Sequence, residues 1–391
     1  MTSRQTTPNK EELKQSAILQ EMIREEICAN AGSISFEQYM WMCLYTPKLG
    51  YYTARQEIFS ETGDFITSSE HGNHYAQAFA SHIHALTLFD KKTTIIEIGA
   101  GNGIFAHDLI DSLIKTGDTP LRYIIVEISA ALKDKQRKAL QKYLDREDIE
   151  IQWLDKLEQP IDCGIVIANE VIDALPVHLI SVKDTNIHER CVTWDEDQGF
   201  RYCQMPLSNE LATLAQNRLP TEILSNKDRE YVTEINTALN AFMRETAAYL
   251  NKGVMFFVDY GYPRQEYYLA QRNMGTLICH YQHTAHDNPL QWPGLQDISC
   301  NVDFTALAEA GVQAELELNC YCTQAQFLLA SDYFKSLQID ANSSDAVVES
   351  SQLKNLVMPN AMGERFQAMA FTKNITLANT QFTLRDLTYR L

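Results

Sequence analysis

The chain has 391 residues, 33 Lys+Arg against 51 Asp+Glu, a formal net charge of −18 and a hydrophobic fraction of 45%. That composition excludes a wholly disordered chain, and the acidic balance weighs against DNA or RNA partners, whose affinity rests on cationic groups that displace counterions. Nine cysteines, odd in number and without a CxxC pair, argue against a disulfide framework or thiolate zinc site and suit a reducing compartment.

In chain order, the opening MTSRQTTPNKEEL has neither an apolar signal core nor an Arg-rich amphipathic presequence. No run of 18 apolar residues follows, so the expectation is a soluble, cytoplasmic protein without membrane insertion. Leu13, Ile18, Met22, Ile23 and Ile27 recur at helical spacing, predicting a helix within Glu11–Gly32. SISFEQYMWMCLYTPKLGYY is helical in its middle and broken by Pro47 and Gly50. Glu57–Gly72 reads as a loop and HYAQAFASHIHALTLF as another helix, making residues 1–90 a helical and loop region.

At Lys92 the pattern changes. TTIIEI, LRYIIVEIS, IEIQWL and the stretch around GIVIAN are short apolar strands, alternating with the amphipathic segments IFAHDLIDSLIKTG and ALKDKQRKALQKYL. This alternation predicts a parallel sheet covered on both faces. Right-handed crossovers then align the strand C-termini along one crevice. Residues from His178 to about Pro220 read as antiparallel or irregular, a helix is predicted over Glu230–Leu250, and VMFFVDYG (Val254–Gly261) restores the buried-strand pattern. Residues 178–250 are therefore an insertion into a core made of 91–177 and 251–391. Tyr262–Ser299 is a second excursion, VDFTALAEAG a helix ending at Gly311, Ala341–Ser351 a surface loop, and RFQAMAFTKN the last strand.

Gly99, Gly101 and Gly103 stand directly between the first strand and its helix, where glycine allows a tight turn and close approach of a ligand. The spacing is neither G-x-G-x-x-G, since Ile104 occupies the third position, nor a P-loop, since G-K-[ST] is absent. Glu97 precedes the glycines and Glu127 closes the second strand, where a carboxylate can accept from a ribose diol. After the fourth strand, Asn169, Glu170 and Asp173 open onto the crevice; a helical turn there would put the two carboxylates on one face. They could grip a guanidinium, cap a turn or bind a metal.

Together with GYY (Gly50–Tyr52), GDFITSSE (Gly63–Glu70), EIGAGNG (Glu97–Gly103), ANEVIDALPV (Ala168–Val177), VDYGY (Val258–Tyr262), HDNPLQWPGLQDISCNVDF (His286–Phe304) and MPNAMGERF (Met358–Phe366), these stretches make the chain resemble the MidA-like family of S-adenosylmethionine (SAM)-dependent methyltransferases. The resemblance implies a class I, Rossmann-like α/β fold with a mostly parallel seven-stranded sheet and substrate-side insertions, the region 1–90 covering the cofactor site. It implies SAM as cofactor, held by Gly99, Gly101, Gly103 and Glu127, with Trp153, Leu154 and Asp155 where adenine packs. Gly63, Asp64, Thr67 and Ser68 become further cofactor-site candidates, and Asn169, Glu170 and Asp173 stand beside the reacting groups. The partner implied is a protein with an accessible arginine, a respiratory-complex subunit among the candidates. Two alternatives stay open: a methyltransferase for a small molecule or another side chain, and an assembly or interaction protein that keeps a SAM pocket. His280, His283 and His286 invite a metal, but they lie in a loop-forming stretch without HExxH. Scaffold hydrogen bonding is the expectation there, with no metal.

Overall fold

The structure, a computed structural model, describes residues 7–54, 72–86, 93–119, 121–225, 229–282, 284–338, 346–378 and 381–391. They form two compact units, each assembled from separated stretches of chain. One takes its described residues from Ile66–Ile172, Asn240–Gly261 and Phe304–Leu391, the other from Met1–Phe65, Asp173–Leu239 and Tyr262–Asp303.

The first unit carries the predicted sheet. Its strands are β1 (Thr93–Ile98), β2 (Leu121–Val126), β3 (Ile149–Leu154), β4 (Gly164–Asn169), β5 (Gly253–Tyr262), β6 (Glu317–Thr323) and β7 (Phe366–Lys373). They lie in the order β6-β7-β5-β4-β1-β2-β3. β1 to β5 are parallel to one another, and β7 is antiparallel to both β5 and β6. Burial explains the unbroken apolar runs: Gly164–Ala168 of β4 and Gly253–Asp259 of β5 are buried, as strands covered on both faces must be. The helix Phe304–Gln313 runs on through Gly311 rather than ending there. A Cβ at Gly311 would lie 2.3 Å from the Phe371 ring, so the glycine is a contact point between helix and β7, not a stop signal. The surface loop expected over Ala341–Ser351 is also corrected, since Ala346–Val357 is helical and residues 341–345 lie outside the described residues.

In this unit His82 is 3% exposed, packed against Phe327 and Phe382, and its Nε2–H donates to the Phe327 carbonyl at 2.9 Å. Burial pushes its pKa down from 6.5 to about 4. Between those values the unfolded chain binds a proton that the folded chain refuses. The contribution of neutral His82 is thus intact above pH 6.5 and lost as pH falls toward 4, a loss of about 2–3 kcal/mol. Gln at this position does not titrate, so the stability gap between the parent and His82→Gln, measured by urea unfolding, should shrink by about 2 kcal/mol between pH 7.5 and 4.5.

In the second unit, Asn9 caps the helix Lys10–Ala29: its side chain accepts from the amides of Glu11 and Glu12, while Glu12 accepts from the Asn9 amide. The helix buries Leu19, Ile23 and Ile27 in a cluster with the helix Phe36–Tyr45 and with Val177, Leu179, Val192, Cys279 and Ile298. Four antiparallel strands follow the order Gly199–Met205, Asn186–Asp195, His178–Lys183, Tyr231–Ile235. A smaller sheet joins Thr284–His286, Ile278–Tyr281 and Asp297–Ser299. The helix expected over Glu230–Leu250 divides into the strand Tyr231–Ile235 and the helix Leu239–Ala248. YVTEI, rich in β-branched and aromatic residues, satisfies its backbone against His178–Val182 instead. Among the described residues no helix is long and apolar enough to cross a membrane.

Candidate active site at the strand ends

The three glycines are held at φ +68°, +52° and +83°, the left-handed region where a side chain would be strained. The Gly99 amide donates to the Val126 carbonyl at 3.0 Å, and Gly103 closes the turn on the Ala100 carbonyl at 2.9 Å. Gly103 is then the N-cap of the helix Ile104–Thr116, whose first amides have no acceptor within the helix; that of Ile104 donates to Asn102 Oδ1 at 3.0 Å. A Cβ on Gly103 would lie 3.0 Å from the Gln136 Cα, so this glycine also lets the helix Ala130–Ala139 approach.

Gln136, which no motif in the sequence marks, connects the parts. It is fully buried, donates from Nε2 to the Gly101 carbonyl at 2.9 Å and to Glu127 Oε2 at 3.2 Å, and accepts from the Trp153 indole at 3.1 Å. One amide therefore fixes the glycine turn, the acidic end of β2 and the aromatic end of β3. The Ser129 amide holds the other Glu127 oxygen at 2.8 Å. Burial raises the Glu127 pKa, opposed by these two partners and by Lys133. Lys133 also pairs with Asp155 and lowers its pKa; Asp155 is exposed while Trp153 and Leu154 are half-buried. The Arg137 guanidinium lies 5.0 Å over the Trp153 ring. Glu97 points into the core, accepts from the Tyr123 hydroxyl at 2.7 Å, and is pushed by burial up to about 7.

At the end of β4, Asn169 accepts from the buried Tyr75 hydroxyl and donates to Glu170 Oε1 at 3.4 Å. Glu170 takes φ +54°, unusual for a residue with a Cβ. Its amide continues the ladder to Val258 at 2.8 Å. Asp259, 1% exposed, then accepts from the amides of Ile172 at 3.0 Å and Tyr260 at 2.9 Å, pinning the turn in place. This turn packs on the glycine loop: a Cβ on Gly99 would come within 3.1 Å of Val171 Cγ2. Asp259→Asn substitutes an NH2 donor for one of the accepting oxygens, and should cost about 2–3 kcal/mol in thermal or urea unfolding.

The helical turn expected to align Glu170 with Asp173 does not form; the chain bends at Glu170 instead. Asp173 belongs to the other unit, where its carbonyl accepts from the Cys300 amide at 3.1 Å and its charge acts on Tyr52. Gly63, Asp64, Thr67 and Ser68 lie outside the described residues, as does His283. His280 and His286 sit in the small sheet, where burial lowers both pKa values, that of His280 to about 4. Among the described residues no cluster of three or more His, Cys, Asp or Glu is arranged to hold a metal.

A glycine turn between β1 and a helix, an acidic residue ending β2 and the single reversed strand β7 between β5 and β6 define a class I methyltransferase fold, in which a nucleoside cofactor lies across the strand ends. Residues 75–322 match the family described as "Putative S-adenosyl-L-methionine-dependent methyltransferase". The chain belongs to this family, of the MidA-like type, and binds SAM. It is 35% identical to a Burkholderia thailandensis superfamily member solved with S-adenosyl-homocysteine, covering 99% of this chain and 100% of that one with a TM-score of 0.88. It is also similar to the curated mitochondrial protein arginine methyltransferase NDUFAF7 of Danio rerio, 26% identical over 90% of this chain and 86% of that protein. The Caenorhabditis elegans homolog is 27% identical over 71% and 68%. These relatives overturn the cytoplasmic expectation, because they are mitochondrial proteins. Free thiols do not separate one reducing compartment from another.

Proposed function

We propose that the chain methylates an arginine guanidinium of a protein partner where the glycine loop meets Asn169 and Glu170. The closeness of Val171 to Gly99 supports this reading, because the turn that carries Glu170 then packs against the glycine loop. The name protein arginine methyltransferase, borne by the Danio rerio and Caenorhabditis elegans relatives, supports it.

The residues fit the cofactor. The glycine turn and the amides opening the helix Ile104–Thr116 suit a carboxylate tail. Glu127, oriented by Gln136 and Ser129, accepts from the ribose diol, and Trp153 with Leu154 forms the wall for adenine, Lys133 holding Asp155 aside. When bound, SAM supplies an electrophilic methyl carbon on a positively charged sulfur.

The protein's own contribution is alignment and charge. Glu170 accepts guanidinium N–H bonds and draws the positive charge toward the nitrogens it touches, leaving the remaining nitrogen richer in electron density. Asn169, held by Tyr75, orients Glu170. A guanidinium is too basic to lose its proton early, so the proton leaves with or after methyl transfer. The test is to incubate the purified chain and deuterium-labelled SAM with extract from cells lacking the protein, respiratory-complex subunits being the first candidates. Label on arginine of a protein is the expected mass-spectrometric result. Label confined to small molecules or other side chains would overturn the reading.

A further inference from the structure

The unit that does not carry the glycine turn has a cavity of about 350 Å³. Leu13, Ala17 and Gln20, on one face of the helix Lys10–Ala29, form one wall. A second comes from the hairpin of Asn186–Asp195 and Gly199–Met205, where Trp194 and Phe200 stand opposite in register with rings edge-on at 5.1 Å. Asn288 and Trp292 belong to a third wall, in the stretch NPLQWPG that the cofactor chemistry does not use.

Trp292 is held at φ +49°, between the rings of Tyr281 at 5.2 Å and His286 at 6.2 Å. A bulky residue in this region is strained and persists where its surroundings enforce it. Trp292 is one of the residues lining the cavity. The lining has aromatic rings and side-chain amides but no charged group. Amides of Gln20, Gln198 and Asn288 can each donate and accept, matching peptide N–H and C=O groups. Aromatic walls suit a proline or an aromatic side chain. On balance the flanks of the lining are acidic: exposed Glu21, Asp197 and Asp287 adjoin Gln20, Gln198 and Asn288, against exposed Lys14 beside Leu13. The Arg24 guanidinium, neutralised by Glu196 at 2.7 Å, lies 5.5 Å over the Trp194 ring.

We propose that this cavity docks an extended, cationic segment of the protein substrate through a proline or aromatic side chain, an inference that rests on the protein-substrate reading above. The acidic rim steers the basic flanks and repels acidic chains.

The probe is a fluorescein-labelled peptide Lys-Arg-Trp-Pro-Arg-Lys, titrated with the full chain by fluorescence anisotropy. Binding at least tenfold tighter than to the same peptide with alanine for Trp and Pro is expected. Ala17→Arg, which fills an exposed helix position with a good helix former and adds a repelling charge, should weaken it at least tenfold. Trp292→Ala should do the same; if that variant fails to fold, Ala17→Arg decides alone. Equal affinity for an acidic peptide of the same aromatic content, or unchanged binding in Ala17→Arg, would overturn the proposal. So would a homodimer in ultracentrifugation that Ala17→Arg dissociates while no peptide binds, since a second copy would then own the cavity. The two readings separate cleanly. Peptide docking without any labelled arginine sinks the methyl-acceptor reading alone, and a labelled substrate whose KM ignores Ala17→Arg sinks the docking site alone.

Discussion

The Glu170→Gln protein should bind SAM as the parent does and transfer methyl at least about 100-fold more slowly. Gln keeps the size and one accepting oxygen, but it has no charge to offset the guanidinium and presents an NH2 toward other N–H groups. The loss therefore falls on turnover rather than on cofactor affinity, which calorimetry with SAM and a single-turnover assay would separate. A second variant removes ambiguity. Glu170 occupies a left-handed backbone position at φ +54° that glycine tolerates better. Glu170→Gly should therefore match or exceed the parent in melting temperature while losing activity. Lost activity with undiminished stability would assign the requirement to the carboxylate, and a parental rate in either variant would remove Glu170 from the reaction.

Glu127→Gln should weaken SAM binding by about 30-fold, roughly 2 kcal/mol, while costing less folding stability at pH 7 than Asp259→Asn does. Glu127 is 7% exposed and burial raises its pKa, so its negative charge is a cost in the folded chain before any ligand arrives. The raised pKa means that this cost is absent at low pH and grows as pH climbs past the unfolded value. Gln relieves that cost and still offers an oxygen to the Ser129 amide, although its NH2 then meets the Gln136 amide that donates to Glu127 Oε2, which offsets part of the gain. What Gln cannot do is accept from both hydroxyls of a diol. A stable variant with parental SAM affinity in calorimetry would show that Glu127 does not hold the ribose.

The sheet was legible because parallel strands buried on both faces become unbroken apolar runs, and the glycine loop because three positive φ values demand glycine. Glu127 was legible as the polar end of such a run. Gln136 and Asp259 were not. Each takes its meaning from partners distant in sequence, Gly101 lying 35 residues from Gln136 and Ile172 lying 87 from Asp259. In a helix of KDKQRKA, one more polar residue gives no sign that it points inward. YVTEI was absorbed into a helix because its own periodicity is too short to oppose the helical segment beyond it, and only pairing with His178–Val182 decides it. Gly311 misled for a related reason: a glycine required by a neighbouring ring looks in sequence like one required by a turn.

The helix Lys10–Ala29 has a consequence for how the chain is made. The apolar stripe Leu19, Ile23 and Ile27 finds part of its cover in Cys279, Ile298 and Cys300. At about 5–20 residues per second, synthesis reaches those cysteines roughly 15–60 s after the helix has left the ribosome. For that interval part of the stripe lacks its final cover, and the neighbouring helix Phe36–Tyr45, from the same cluster, is the partner that reaches it within seconds.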